Sequence, residues 1–230
     1  MPTLLNPFIF ANGVTELARD TTLYKDATNL TTYTSDARAI GTASATRRVY
    51  AFIMGWAGAS RTLNSATIGG VAATIELQIN NTNAGNSLIA AIVSATVPTG
   101  TTAVVVATFD AGMGSAAIAV ISLDNLLSTT PYDSVSATSL TAAVNTGAVF
   151  DQPTAGYCMA LAIAAANGTP TCVWTNLTET VDDFVDDGTN DVGVSVAFFD
   201  VKSSWAYNTD VTATFTGAGT PKSLVAISVR

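Results

Sequence analysis

The fold is decided by a stretch that occurs twice: Val104-Val-Val-Ala-Thr-Phe109 followed by Ile118-Ala-Val-Ile-Ser-Leu123, then Asp210-Val-Thr-Ala-Thr-Phe215 followed by Leu224-Val-Ala-Ile-Ser-Val229. Both pairs are offset by 106 residues. A regular recurrence of this kind indicates that one strand-loop-strand unit was used twice.

The repeat extends outward from these segments. Residues 48–60 align with 156–168, and residues 88–95 align with 193–200, by apolar pattern more than by identity. The two copies therefore span 47–123 and 156–230. About five strands are predicted in each copy, near 48–57, 65–77, 87–97, 103–109 and 116–123, and again near 157–165, 171–180, 192–201, 209–215 and 222–229.

Strand signals dominate the chain. Short runs rich in Val, Ile, Ala, Phe and Thr are separated by Gly, Asn, Pro and Asp, and no long helical period is present. Gly69-Gly70 lies between two such runs and predicts a two-residue hairpin, because both turn positions need a positive φ. The pattern predicts an all-β, antiparallel β-sandwich resembling a jelly roll, built from the two repeats.

A five-stranded sheet with one apolar face needs a cover, so we favour two copies packed face to face as one sandwich with a pseudo-twofold axis. Two tandem small sandwiches are the alternative. Residues 124–156 could be a linker or further strands, with weaker strand signals near 132–140 and 144–150. Residues 1–20 lack alternation and contain Pro2, Pro7 and Gly13, which predicts an extended N-terminal arm ahead of a sandwich at 21–230.

The composition excludes several partners. Only 11% of the residues are charged, and 9 basic against 17 acidic residues give a net charge of -8, which opposes binding to a nucleic-acid backbone. The apolar runs of about ten residues are too short for a membrane helix of about 20. The N-terminus lacks a basic region before its apolar residues, so no signal peptide is expected.

Catalysis is not expected either. Histidine is absent, which removes the Ser-His-Asp and Cys-His arrangements and the commonest ligand of transition metals. Phosphate-binding glycine motifs and CxxC are also absent. The two cysteines, Cys158 and Cys172, are expected to be buried thiols, with a cross-strand disulfide as the alternative.

The charged cluster of the chain lies just before a predicted strand. Its five carboxylates, on a stretch containing Gly188, could bind calcium, although the spacing is not that of an EF-hand. The alternative interpretation, which we favour, is a solvated acidic loop that limits self-association. The candidate calcium ligands are Asp182, Asp183, Asp186, Asp187 and Asp191; no other cofactor is expected.

Aromatic residues are the other candidates, because sugar rings stack on exposed indole and phenol rings. Trp205 and Tyr207 alternate and so share one strand face, and Trp56 ends an apolar strand. Packing at the ends of the core is the favoured interpretation of all three residues, with glycan binding as the alternative. Arg47 and Arg48 could contact an acidic partner, but two basic residues at a strand entry are ordinary.

The stretch 47–123 resembles a pattern found in virion proteins of tailed bacteriophages. It has an Arg-hydrophobic strand ending in Gly55-Trp56, the hairpin Ala66-Thr-Ile-Gly-Gly-Val-Ala-Ala-Thr74, the segment 97–109 and the strand 117–123. The second repeat matches loosely. The resemblance implies a β-sandwich module on a phage head, vertex, tail or fibre. It assigns no binding residue, because the matched positions are strand and turn residues.

From this resemblance and the composition we expect a non-enzymatic virion protein. It would be made in the host cytoplasm and would decorate or cement the capsid exterior as a homo-oligomer, with a trimer favoured. Its partners would be the major capsid protein or other virion subunits, with the apolar arm as a docking strap. The alternative is a carbohydrate- or receptor-binding module of a tail fibre or vertex spike that recognises a host surface polysaccharide.

Overall fold

A computed structural model describes residues 13–186, 188, 191–201 and 206–230 of the chain. In this part the chain forms antiparallel strands and no helix, which confirms the predicted all-β, antiparallel sandwich class. Nowhere among these residues is there a helix long and apolar enough to cross a bilayer.

The strands are numbered in chain order. They are β1 Thr15–Arg19, β2 Tyr24–Asp26, β3 Leu30–Thr34, β4 Arg38–Ala39, β5 Arg48–Ala57, β6 Leu63–Ile68, β7 Val71–Ala72, β8 Thr74–Asn83, β9 Asn86–Thr96, β10 Thr102–Ala103, β11 Val105–Met113, β12 Ser115–Asp124, β13 Asp133–Ser139, β14 Ala143–Gln152, β15 Gly156–Thr175, β16 Thr178–Asp186, β17 Asp191–Val201 and β18 Ala206–Val229.

Three sheets make up most of the described fold. Sheet A has the order β1-β12-β5-β9-β8, with β2 also pairing with β12, and sheet B has the order β3-β11-β6-β7. Sheet D has the order β13-β18-β15-β17-β16, with β14 also pairing with β18. The short strands β4 and β10 form a separate two-stranded sheet, sheet C.

Sheet D folds back on itself because its two longest strands bend. The pairing of β15 with β18 shifts register between Ala164 and Thr171, and Gly168 and Gly217 take positive φ angles of 111° and 74° there. Beyond the bend, residues 171–175 of β15, 209–216 of β18 and β14 form an outer half of sheet D. The remainder of the sheet is its inner half.

The two copies share one strand order. Sheet A runs β12-β5-β9-β8 and the inner half of sheet D runs β18-β15-β17-β16. Likewise β3-β11-β6 of sheet B corresponds to β14-β18-β15 in the outer half of sheet D. In the first copy β5 and β6 are separate strands, whereas the second copy runs both through the single strand β15.

Three cores separate four layers in the described structure. Ile53 lies in the core between sheets A and B, while its neighbour Phe52 faces the core shared with the inner half of sheet D. There the Phe52 and Phe198 rings meet edge to face at 5.5 Å. The third core lies between the two halves of sheet D and holds Trp174 and Phe215. Central strands read as continuous apolar runs because both of their faces are buried.

The copies pack face to face through sheet A and the inner half of sheet D, and each copy also supplies a second sheet of its own. The outer layers form because the alternating residues of β5 and β15 leave two apolar faces to cover, and a single pair of sheets covers only one of them.

Three segments differ from or refine the predicted elements. Residues 15–19, assigned to the arm, pair with β12 as an edge strand of sheet A, whereas residues 1–12 lie outside the described part. The predicted strand 65–77 is divided, because Gly69 and Gly70, with φ of 59° and 80°, turn the chain between Ile68 and Val71; the predicted hairpin is confirmed. Residues 124–156 contain two strands, β13 and β14.

Candidate functional site

The acidic cluster lies on β16 and the start of β17, and its described carboxylates have separate partners. Asp182 accepts a hydrogen bond from the Cys172 N–H at 3.0 Å. Asp183 pairs with Lys25 at 2.9 Å. Asp186 accepts from the Gly188 N–H at 2.6 Å and Asp191 from the Gly168 N–H at 2.5 Å. Asp187 lies outside the described residues.

These carboxylates do not converge in the described structure. Adjacent strand residues point to opposite faces of a sheet, which separates Asp182 from Asp183. Among the residues that the structure describes, no three acidic, cysteine or histidine side chains are close enough to hold a metal ion. Burial raises the pKa of Asp182, opposed by the Cys172 N–H and reinforced by the neighbouring Asp183. Calcium binding stays a prediction.

Trp56 is held against the protein at the end of β5. Its indole N–H donates to Asn86 Oδ1 at 2.9 Å, and its ring covers Gly114, where an added Cβ would meet the ring carbons at 2.4 Å. The indole therefore packs against Gly114, and glycan binding by Trp56 stays a prediction. Trp205 and the side chain of Tyr207 lie outside the described part of the chain.

A cleft of about 350 Å³ opens beside the acidic cluster, where the edge of sheet A meets the edge of sheet D. Its walls are β2 and the following turn on one side and the end of β16 on the other. It is lined by Lys25, Ala27, Phe184, Val185 and Asp186. Asp186 belongs to the acidic cluster that is visible in the sequence, whereas no local pattern connects Lys25 with Phe184, because they are about 160 residues apart.

The adjacent arginines are buried structural residues and are not available to an acidic partner. Arg47 is fully buried and donates to six backbone carbonyls, of Ile40, Gly41, Thr42, Val97, Thr99 and Gly100. Arg48 pairs with Glu76 at 2.8 Å, with both side chains at most 10% exposed. Burial lowers the pKa of Arg47, yet its guanidinium stays charged near neutral pH.

Most described basic side chains serve the fold. Arg38 and Lys222 are also buried, and Arg19 pairs with Glu16 and Lys25 with Asp183. The exposed surface is accordingly more acidic than the net charge of -8 indicates.

The outward face of the outer half of sheet D is a lattice of hydroxyl and methyl groups. Thr212, Thr214 and Thr216 alternate with the buried Val211, Ala213 and Phe215 along β18. Across the pairing they lie beside exposed residues of β14 and β15, namely Asn145, Thr171, Val173 and Thr175. Val173 is 68% exposed.

Sheet B presents a similar face at the opposite side of the stack. There Thr32 and Thr108 lie opposite each other with their hydroxyls 3.2 Å apart, and Ser65 lies on the other side of Thr108. The alternation of Thr with apolar residues signalled strands, but only the layer order shows that these hydroxyls face solvent.

Cys158 and Cys172 are buried free thiols in the core between the halves of sheet D. Burial raises the pKa of both thiols, that of Cys172 to about 12. Protonated thiols are poor nucleophiles, so the pair belongs to the core, as expected.

Comparison of the chain with models of known protein families, with curated proteins and with solved structures gives no significant match.

Proposed function

We propose that the protein is a non-enzymatic structural component of a tailed-phage virion, which decorates or cements the capsid exterior as a homo-oligomer, with a trimer favoured. The observation that carries the proposal is the pair of hydroxyl-and-methyl faces on the two outer layers, Thr212, Thr214 and Val173 on one side and Thr32 and Thr108 on the other.

Such faces suit contact with other proteins. Threonine and valine have short side chains that lose little conformational entropy when they are buried. Their methyl groups gain from burial and their hydroxyls can bond across an interface. An extensive sheet face of this kind can contribute to the roughly 800 Å² that each partner of a stable complex buries.

The rest of the molecule supports the same role. The buried charged groups are used in structural contacts, as with Arg47 and the Arg48–Glu76 pair. The resemblance of 47–123 to phage virion proteins rests on residues that form β5, β6, β11 and β12. A rigid layered body with an acidic surface would then attach to a neutral or basic region of the shell, with residues 1–12 as a strap.

The proposal is tested by mixing the purified protein with capsids that lack it. We expect saturation at hundreds of copies per particle, measured by quantitative gel densitometry of sedimented capsids, and a defined oligomer by native mass spectrometry. Val173→Lys places a charge on the outward face of the outer half of sheet D, and it should weaken capsid binding or oligomer formation. The control is Leu127→Lys, which changes a 69% exposed leucine in the loop between β12 and β13, outside both faces.

The role of the strap is tested with a chain that lacks residues 1–12. This deletion stops before β1, because the loss of 15–19 would also damage sheet A. Full binding by the shortened protein would exclude the strap. A protein found at only a few copies per particle, or only on tails, would contradict the decoration role.

A further inference from the structure

We propose that the cleft between β2 and β16 binds a single neutral hexose unit of a glycan. The inference does not depend on a capsid role, and it assigns a site to Lys25, Phe184 and Asp186, which are not among the aromatic candidates Trp56, Trp205 and Tyr207.

The cleft lies where the two copies depart from each other. At the corresponding edge, where β8 meets β13 and β18, asparagine side chains close the gap. Asn81 Nδ2 donates to the Lys222 carbonyl at 2.8 Å, and Asn83 Nδ2 donates to Thr220 Oγ1 at 3.0 Å. At the β2–β16 edge the described bridge is the pair Lys25–Asp183, and the space beside it stays open.

The dimensions suit a small ligand. A volume of about 350 Å³ is near the lower limit of ligand pockets, which hold about 300 to 1,000 Å³. One sugar ring fits this volume, and the open side of the cleft leaves room for the rest of a chain.

The lining combines an apolar wall with polar groups of both kinds. Phe184, Ala27 and Val185 present carbon atoms, Lys25 presents an ammonium donor and Asp186 a carboxylate acceptor. A sugar has the complementary surface, with C–H groups that pack on an aromatic ring and hydroxyls that both donate and accept.

The charged side chains of the cleft disfavour both cationic and anionic ligands. The Lys25 ammonium, 5.8 Å from the centre of the Phe184 ring, repels a cationic ligand in the cleft because the two charges have the same sign. Asp183 and Asp186 both lie on this edge and oppose an anion. A neutral polyhydroxyl ligand satisfies both constraints.

The site is tested first with an array of neutral, acidic and basic glycans, and then by NMR titration of the purified protein with the free hexose of the strongest neutral hit. We expect chemical-shift changes at Lys25, Phe184 and Asp186. Phe184→Leu, which keeps an apolar residue but removes the ring, should weaken binding by about threefold to tenfold.

Lys25→Met should weaken hexose binding by about tenfold, since it removes a charged donor. The matched control is Phe199→Leu, which changes a 40% exposed phenylalanine outside the cleft and should leave affinity unchanged. A thermal melt of each variant shows that it is folded. The proposal is overturned if no neutral glycan binds, if only charged glycans bind, or if both cleft variants bind as the wild type does.

Discussion

Arg47 illustrates how a charged residue can hold loops in place without a carboxylate. Its guanidinium connects the carbonyls of residues 40–42 to those of 97–100. A guanidinium offers five N–H donors in a fixed plane, and burial makes each unsatisfied carbonyl costly.

Replacement of Arg47 should destabilise the protein strongly. We expect Arg47→Met to lower the free energy of unfolding by about 3 kcal/mol or more, because several buried carbonyls lose their donor. Urea denaturation followed by tryptophan fluorescence measures the change. Arg19→Met is the control: its exposed pair with Glu16 should contribute less than about 0.5 kcal/mol, and an equal effect of the two substitutions would contradict the structural role of Arg47.

The buried thiols make stability fall at alkaline pH. The Cys172 thiol has an ordinary pKa of 9.0 that burial raises to about 12 in the folded state. Between these values the unfolded chain releases a proton that the folded chain retains, so unfolding becomes more favourable by about 1.4 kcal/mol per pH unit.

Cys172→Ala should therefore lose stability less steeply than the wild type as the pH rises from 9 towards 12. The free energy of unfolding is measured by urea denaturation at a series of fixed pH values. The two proteins are compared by the slope of this free energy against pH and not by its absolute value. Parallel slopes for the two proteins would show that the thiol is accessible in the folded state. The buried Tyr33, whose pKa is also raised to about 12, lowers the stability of the wild type and of Cys172→Ala equally over this pH range.

At the scale of elements, β1 shows why local pattern was insufficient. Its five residues lack strict alternation: the three middle residues are partly buried and the two end residues are exposed. It is fixed by distant partners: four of its residues pair with β12, and Tyr157 Oη donates a hydrogen bond to the Glu16 carboxylate. Pairings across more than 100 residues leave no mark in a short window of sequence.

Removal of β1 should damage the fold, whereas removal of the preceding segment should not. A chain without residues 1–12 should melt as the full chain does. A chain without residues 1–20 loses Asp20, which pairs with the buried Arg38 at 2.8 Å, and should lose about 3 kcal/mol. It also exposes the edge of β12 to aggregation. Circular dichroism melts and light scattering compare the two; identical behaviour would refute the role of β1.

The bent strands also show that local pattern is insufficient. Gly168 and Pro170 interrupt the apolar pattern of residues 156–175 and predict two strands, but in the structure these residues form the single strand β15. The bend is stabilised by close packing of Pro170 on Gly193, where an added Cβ would meet the proline ring at 2.4 Å. Glycine at 193 is thus required by a contact that appears only after the sheet has folded back.

For the whole molecule, the core between the copies makes them interdependent. Phe52 and Met54 of sheet A pack with Met159 and Phe198 of sheet D. Side chains of this size each contribute roughly 1.5 to 3 kcal/mol when they are buried. Each copy alone would expose this face as a large apolar patch.

We therefore expect residues 13–124 and 125–230, produced separately, to be insoluble or to associate, and to recover a soluble complex when they are refolded together. The intact chain should unfold in a single transition by scanning calorimetry. Two separate transitions, or soluble monomeric halves, would show that the copies are independent sandwiches. Phe52→Asp in the intact chain should destabilise both copies together.

Local sequence pattern was enough to predict the all-β class, most of the strands and the Gly69-Gly70 turn, because these depend on alternation and on backbone conformations that few residues can adopt. The four layers, the burial of Arg47, Arg48 and Lys222, and the cleft between Lys25 and Phe184 follow from the tertiary structure alone. Those outcomes depend on which sheet faces bury each other. That choice is made by contacts between residues far apart in the chain, which no local pattern encodes.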